Sequence, residues 1–157
     1  MSDQDSRALR DAFGCFATGV CVVTTTTATN EPIGMTVNSF SSVSLEPPLV
    51  SWCVGLDASC FEHFVGPRPF NVHILAAAQS ELSQAFARPE EQPFDTASWH
   101  RDERGVPVLD ACPVRFFCTP REHVDAGDHV LILAAVNRFE TSEQEPLLFY
   151  RSAYRGD

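Results

Sequence analysis

The stretch Gly34-Met35-Thr36-Val37-Asn38-Ser39-Phe40-Ser41-Ser42-Val43-Ser44-Leu45-Glu46-Pro47-Pro48 decides how this chain is read. Threonine, asparagine and serine are interleaved with apolar residues at strand-like spacing, so one face can pack on a core while the other carries uncharged hydrogen-bonding groups. Those groups face either a bound molecule or solvent, and the composition of the stretch leaves both open. Pro47-Pro48 interrupts the run before the next strand.

Working outward, Val20 to Thr27 is a β-branched run, and Thr29-Asn30-Glu31-Pro32 turns it into Ile33 to Val37, which predicts a hairpin. Upstream, Leu9, Ala12, Phe13, Phe16 and Ala17 follow helical spacing and predict a helix from about Ser6 to Thr18, stopped by Gly19. Downstream, Phe40 to Leu45 and Leu49 to Val54 read as strands. Ser59 lies three residues before Glu62, the capping-box spacing, and predicts a short helix from Cys60 with Ser59 as its N-cap. Phe70 to Leu75 reads as a strand and Ser80 to Ala87 as a helix ended before Pro89. The polar, proline-bearing segment Arg88 to Pro113 is expected as a long surface excursion. Strands return at Val114 to Cys118, at His129 to Phe139 after the turn Asp125-Ala126-Gly127, and at Leu147 to Tyr150. Many strands, short turns and a few marginal helices predict a mainly β fold, a closed antiparallel barrel rather than βαβ units. At 157 residues the chain fits one domain over 1–157, with its core from about 9 to 154.

Composition narrows the function classes. An apolar content of 44% with 12 Phe supplies a full core. With 21 acidic against 11 basic residues the net charge is −10, which repels nucleic acid and anionic membrane alike. The first residues lack the basic and apolar regions of a secretory signal, and no apolar run approaches a membrane span, so the expected location is cytoplasmic. The six cysteines form no Cys-x-x-Cys pair and have apolar neighbours, as expected of buried free thiols. His123 and Asp125 lack a third partner at metal-like spacing, so no metal is expected. A flavin ring would suit the polar row of 34–48, because its pyrimidine edge offers acceptors and one N–H that hydroxyls and an amide can match without formal charge.

Together with Phe16-Ala17-Thr18-Gly19-Val20, the segment Phe70-Asn71-Val72-His73-Ile74-Leu75 leading to Gln79 and Phe86-Ala87, and Gly127-Asp128-His129, the central stretch resembles the flavin reductase-like family. These elements occur in family order from about residue 9 to residue 154. The resemblance implies a homodimeric flavin-binding split β-barrel of Greek-key topology with short flanking helices. It implies an NAD(P)H:flavin oxidoreductase that uses FMN or FAD with NADH or NADPH, and a flavin-dependent monooxygenase component that receives the reduced flavin. Carried over by residue, Thr36, Asn38 and Ser39 match positions lining the isoalloxazine, Ser42 and Ser44 the ribityl-phosphate end, and Ser59 the phosphate side. His129, beside Asp128, matches a histidine next to nicotinamide and flavin and is the catalytic candidate. Phe86, the 88–113 excursion and Tyr150 to Tyr154 are expected as groove wall. Where relatives carry a second hydroxyl or a basic residue beside the phosphate-side serine, this chain has Cys60 and Asp57, which leaves FMN against FAD open. No Gly-x-Gly-x-x-Gly follows a strand, so a Rossmann site is not expected. The rival reading is a flavin carrier or sensor without turnover on the same barrel.

Overall fold

The computed structural model of the chain describes residues 2–88 and 90–155. Its main sheet has seven antiparallel strands: β2 (Cys21–Thr26), β3 (Pro32–Val37), β4 (Ser41–Leu45), β5 (Pro48–Gly55), β6 (Phe70–Ile74), β9 (Val114–Ala126) and β10 (His129–Thr141). Their spatial order is β3-β2-β6-β9-β10-β5-β4. Hairpins β2–β3 and β4–β5 are joined by residues 38–40 alone, while longer connections lead from β5 to β6 and from β6 to β9, in keeping with a Greek-key arrangement rather than a meander.

The consecutive strands β3 and β4 form the two edges of this sheet. Laid flat, seven strands would hold those edges about 29 Å apart. Only Asn38, Ser39 and Phe40 link Val37 to Ser41, and such a link spans at most about 15 Å. The sheet is therefore rolled, with no hydrogen-bonded ladder between β3 and β4 among the described residues. The expected closed barrel is thus corrected to one split at the 38–40 link. Phe40 of this link packs against the inner core, its ring stacked on Phe116 of β9 at 5.5 Å. Inside the roll, Trp52 meets Phe64 and Phe70 edge-on at 5.1 and 5.6 Å, among Val23, Val72 and Ile132.

β2 is buried on both faces. Val23 belongs to the inner core, while Val20 and Val22 join Leu75, Phe86, Phe94, Leu109 and Leu147 in a second cluster outside the roll. That outer layer comprises α3 (Ser80–Phe86), the hairpin β7 (Trp99–Arg101) with β8 (Pro107–Leu109), and a small sheet of β1 (Thr18–Gly19), β11 (Leu148–Tyr150) and β12 (Ala153–Arg155) in the order β1-β11-β12.

Three expectations are corrected here. The first helix, α1, runs Asp3–Phe13, capped by Ser2, whose hydroxyl accepts from Asp5 N at 3.2 Å. None of its residues is buried, and Phe13 and Phe16 are 69% and 80% exposed, so the apolar spacing does not mark a core face. The 88–113 segment is no bare excursion. Phe94, Val106, Val108 and Leu109 are buried, and the polar turn residues point inward. Asp102 accepts from Asn71 Nδ2 at 3.1 Å and from the Arg104 guanidinium at 2.9 Å, while Arg104 donates to Asn71 Oδ1 at 2.6 Å. Finally, α2 (Phe61–Phe64) is preceded by Cys60 as N-cap, with no side-chain capping bond, so Ser59 does not start it.

Candidate functional site

β3 is an edge strand, yet its outer edge at Gly34 is occupied. Gly34 N donates to Gln92 Oε1 at 2.9 Å and Gln92 Nε2 donates back to Gly34 O at 3.3 Å, so a side-chain amide stands where a strand would pair. Gln92 therefore holds the 90–95 segment beside β3. Along that line lies a cleft of about 290 Å³ bounded by Gly34, Thr36, Asp57, Ser59, Phe86 and Arg88, among others. Its lining sets the polar side chains of Asp57, Ser59 and Arg88 beside apolar ones such as Phe86. A second recess of about 230 Å³ lies on the other side of Thr36 and Ala87, between Val20, Asn38, Phe149 and Tyr154. Its wall is aromatic, with Phe149 and Tyr154 5.5 Å apart and tilted by 59°. Neither reaches the roughly 300 Å³ of a typical ligand pocket, but their common wall of Thr36 and Ala87 makes them two halves of one site.

The sequence-nominated residues divide between this site and its surroundings. Thr36 lines both halves, although its hydroxyl donates to Ser83 O at 2.7 Å. Asn38 lines the aromatic half, is exposed, and makes no side-chain hydrogen bond among the described residues. Ser59 is exposed and lines the polar half. Phe86 also lines it, but as a core residue only 3% exposed. Ser39 is committed to β5: its hydroxyl accepts from Cys53 N at 2.9 Å and lies 3.3 Å from Cys53 O. Ser42 and Ser44 sit on the edge strand β4, flanking a register shift, and line neither half.

His129 opens β10 opposite Gly55, and its Nδ1 lies 2.7 Å from Asp128 Oδ1. That hydrogen bond holds the Asp128 carboxyl below its usual range, so it is ionised at neutral pH and can only accept. Nδ1 therefore carries the hydrogen. A Cβ on Gly55 would lie 3.7 Å from His129 Nε2 and 3.0 Å from Asp57 Oδ1, which places the imidazole beside a residue of the polar cleft. His73, by contrast, is fully buried between Val22 O and Leu109 N, both at 3.0 Å.

Sequence reasoning missed Gln92 and Ser83, whose partners lie 58 and 47 residues away. It also missed that Arg88 shares the cleft of Ser59, supplying from α3's end the cation that the Ser59 neighbourhood lacks. Arg88 is paired with Glu91 at 3.0 Å on the surface.

All six cysteines are free. Burial pushes the Cys21 and Cys118 thiols up to about 12 and Cys112 to about 11, away from nucleophilic use, while Cys15 is exposed and Cys53 half-buried, unlike the expectation for all six. Among the described residues no group of three His, Cys, Asp or Glu side chains is placed to hold a metal ion. Likewise, no helix is long and apolar enough to cross a membrane.

The chain is similar to several known proteins. The chain is 43% identical over 151 residues to an FMN reductase (NADH) of Agrobacterium fabrum, covering 96% of this chain and 86% of that protein. It is 40% identical over 158 aligned residues to the reductase component of a flavin-dependent trigonelline monooxygenase of Acinetobacter baylyi. That match covers 98% of this chain but only 51% of the relative, so the chain spans about half that protein's length. The structure of an NADH:FAD oxidoreductase of Streptomyces globisporus, in complex with NAD and FAD fragments, superposes with a TM-score of 0.91 at 36% identity, covering 99% of this chain and 94% of that one. A family model described as the flavin reductase like domain matches residues 13–156. With that match over nearly its whole length, the chain belongs to the flavin reductase like domain family.

Proposed function

We propose that this chain is a cytoplasmic NAD(P)H:flavin oxidoreductase, using FMN or FAD with NADH or NADPH and passing reduced flavin to a partner monooxygenase. The observation that carries the reading is the pair of half-sites joined at Thr36 and Ala87: an aromatic recess with an uncommitted carboxamide, Asn38, beside a polar cleft holding Ser59 and Arg88. A planar ring suits the first and an anionic tail the second, so the residues present fit a flavin. When bound, a flavin supplies the acceptor for hydride from the nicotinamide.

The chain's own part is orientation and charge. Asn38 offers a donor and an acceptor to the polar edge of a ring, Phe149 and Tyr154 exclude water from its faces, and Ser59 with Arg88 hold the tail. The ionised Asp128 keeps His129 Nδ1–H turned to itself, leaving Nε2 near Gly55 and Asp57 to position the dinucleotide or, protonated, to offset negative charge. Ser39 ties the 38–40 link to β5 at Cys53.

A homodimer is part of the proposal. It is supported by apolar surface that the fold leaves open, on Phe13 and Phe16 and on the edge strand at Val43 and Leu45. The monooxygenase partner is supported by the Acinetobacter relative, which is itself a reductase component.

The test is direct. Purified chain is mixed with FMN or FAD and with NADH or NADPH while nicotinamide absorbance is followed. Flavin-dependent loss of absorbance is expected. Flavin binding without dinucleotide oxidation would make the chain a carrier instead.

A further inference from the structure

Ser83 is wholly buried on α3, a helix of only seven residues whose placement depends on tertiary ties rather than its own length. Its carbonyl accepts two hydrogen bonds, from Thr36 Oγ1 at 2.7 Å and from Ala87 N at 3.1 Å. Thr36 and Ala87 are the two residues common to both halves of the site. One backbone oxygen thus holds both sides of the saddle between the polar cleft and the aromatic recess.

The hydroxyl of the same serine is 2.8 Å from Tyr154 Oη, on the far wall of the recess. Tyr154 lies on β12, a three-residue strand that pairs only with β11 at the edge of the small sheet. The β11–β12 turn is fixed as well. Arg151 and Ser152 both hold positive φ, 49° and 59°, a conformation that persists in non-glycine residues only where surroundings enforce it, and Arg151 N donates to Gly14 O at 2.8 Å. With the turn anchored at one end, the Tyr154–Ser83 bond fixes the other.

We propose that Tyr154 and Ser83 are positioning residues of the ring-binding site: their hydroxyl pair sets the width of the aromatic recess and latches β12 against the saddle at Thr36 and Ala87. The inference rests on the reading that a flavin ring binds beside Asn38. Neither hydroxyl is asked to touch the ring. Loss of the bond leaves a buried hydroxyl without this partner and lets wall and saddle move apart, so a stacked ring loses contact on one side.

The experiment compares the parent chain with Tyr154→Phe, Ser83→Ala and the double variant. It measures FMN and FAD dissociation constants, the visible spectrum of bound flavin and the thermal midpoint. Each single variant is expected to weaken flavin binding about 5- to 10-fold and to shift the bound flavin's visible band, with the double variant no worse than either single one because all three lack the same bond. Two outcomes overturn the proposal: a lower thermal midpoint with unchanged affinity and spectrum, which marks a structural bond only, or additive losses in the double variant. If one single variant does not fold, the other decides by the same criteria. A parent chain that binds neither flavin overturns the ring-binding reading and this inference together, and that failure is seen before any variant is made.

Discussion

The ring of Phe86 lies where a side chain on Gly34 would have to go: a Cβ there would sit 2.6 Å from Phe86 Cε1 and 2.8 Å from Cδ1. Phe86 is held by Phe94 edge-on at 5.1 Å and cannot swing away cheaply. Close approach of the helix to the edge strand therefore requires glycine at 34. Gly34→Ala is expected to destabilise the chain by about 1–3 kcal/mol through overpacking and to loosen Gln92 from the strand edge. Urea denaturation of parent and variant checks it, and an unchanged midpoint would mean that α3 yields freely.

Asn38 joins the two edges of the rolled sheet and lies in the aromatic recess with its amide uncommitted. Asn38→Ala should weaken flavin binding by about 1–3 kcal/mol, since a polar atom of the bound ring would be left unpaired. Stability should hardly change, because the side chain is exposed. Titration of each protein with FMN and FAD reads the difference, and equal affinities would remove Asn38 from the site.

His129→Ala addresses turnover rather than binding. Oxidised-flavin affinity is expected to stay near the parent's, while kcat/KM for the dinucleotide falls at least about 10-fold, equivalent to about 1.4 kcal/mol of transition-state stabilisation. Stopped-flow reduction of the preformed flavin complex measures that step. Parent-like rates at every dinucleotide concentration would deny His129 a role.

Asp102 is buried to 1% side-chain exposure and shares its charge with Arg104 at 2.9 Å. Burial alone would raise this carboxyl, but hydrogen bonds from Asn71, Arg104 and the Val106 amide outweigh it and hold the group below the usual range. Arg104→Ala would strand that carboxylate and remove the bond to Cys118 O, at a cost of about 3–5 kcal/mol. The loss should show in denaturation midpoints, whereas a cost under about 1 kcal/mol would mean the cluster is solvated.

His73 sets a pH window. Burial lowers its pKa from 6.5 to about 4, so the folded protein keeps it neutral where the unfolded chain takes up a proton. A depressed folded pKa means that this group costs nothing above about pH 6.5. Stability then falls by about 1.4 kcal/mol per pH unit as pH drops toward 4, levelling near a total of about 3 kcal/mol. The lowered carboxyls of Asp102 and Asp110 act below that window, as pH falls through 3.8 and beyond. Chemical denaturation between pH 4 and 7 should show the slope, and His73→Gln should flatten it.

What the sequence determined by itself is the set of strands and the neutral polar row. Val20 to Thr27, Phe70 to Leu75 and His129 to Phe139 carry β-branched and apolar runs whose period is local, so their state can be read without knowing their partners. The resemblance to the flavin reductase-like family nominated Thr36, Asn38 and Ser59, and all three line one compound cleft. Only the tertiary structure decided which polar groups line the clefts and which are drawn into hydrogen bonds within the fold. Ser39 turned to Cys53, Thr36 turned to Ser83, and the turn residues Asp102 and Arg104 turned inward to Asn71, because each found a hydrogen-bond partner 14 to 47 residues away in the chain. The N-cap expected of Ser59 failed for a similar reason: α2 has only four residues and packs Phe64 into the inner core, so core packing rather than capping chemistry sets where it starts. A hydroxyl beside an apolar residue looks the same in sequence whether it meets a cofactor edge or a carbonyl 47 residues away, and only the folded chain brings that carbonyl within 2.7 Å.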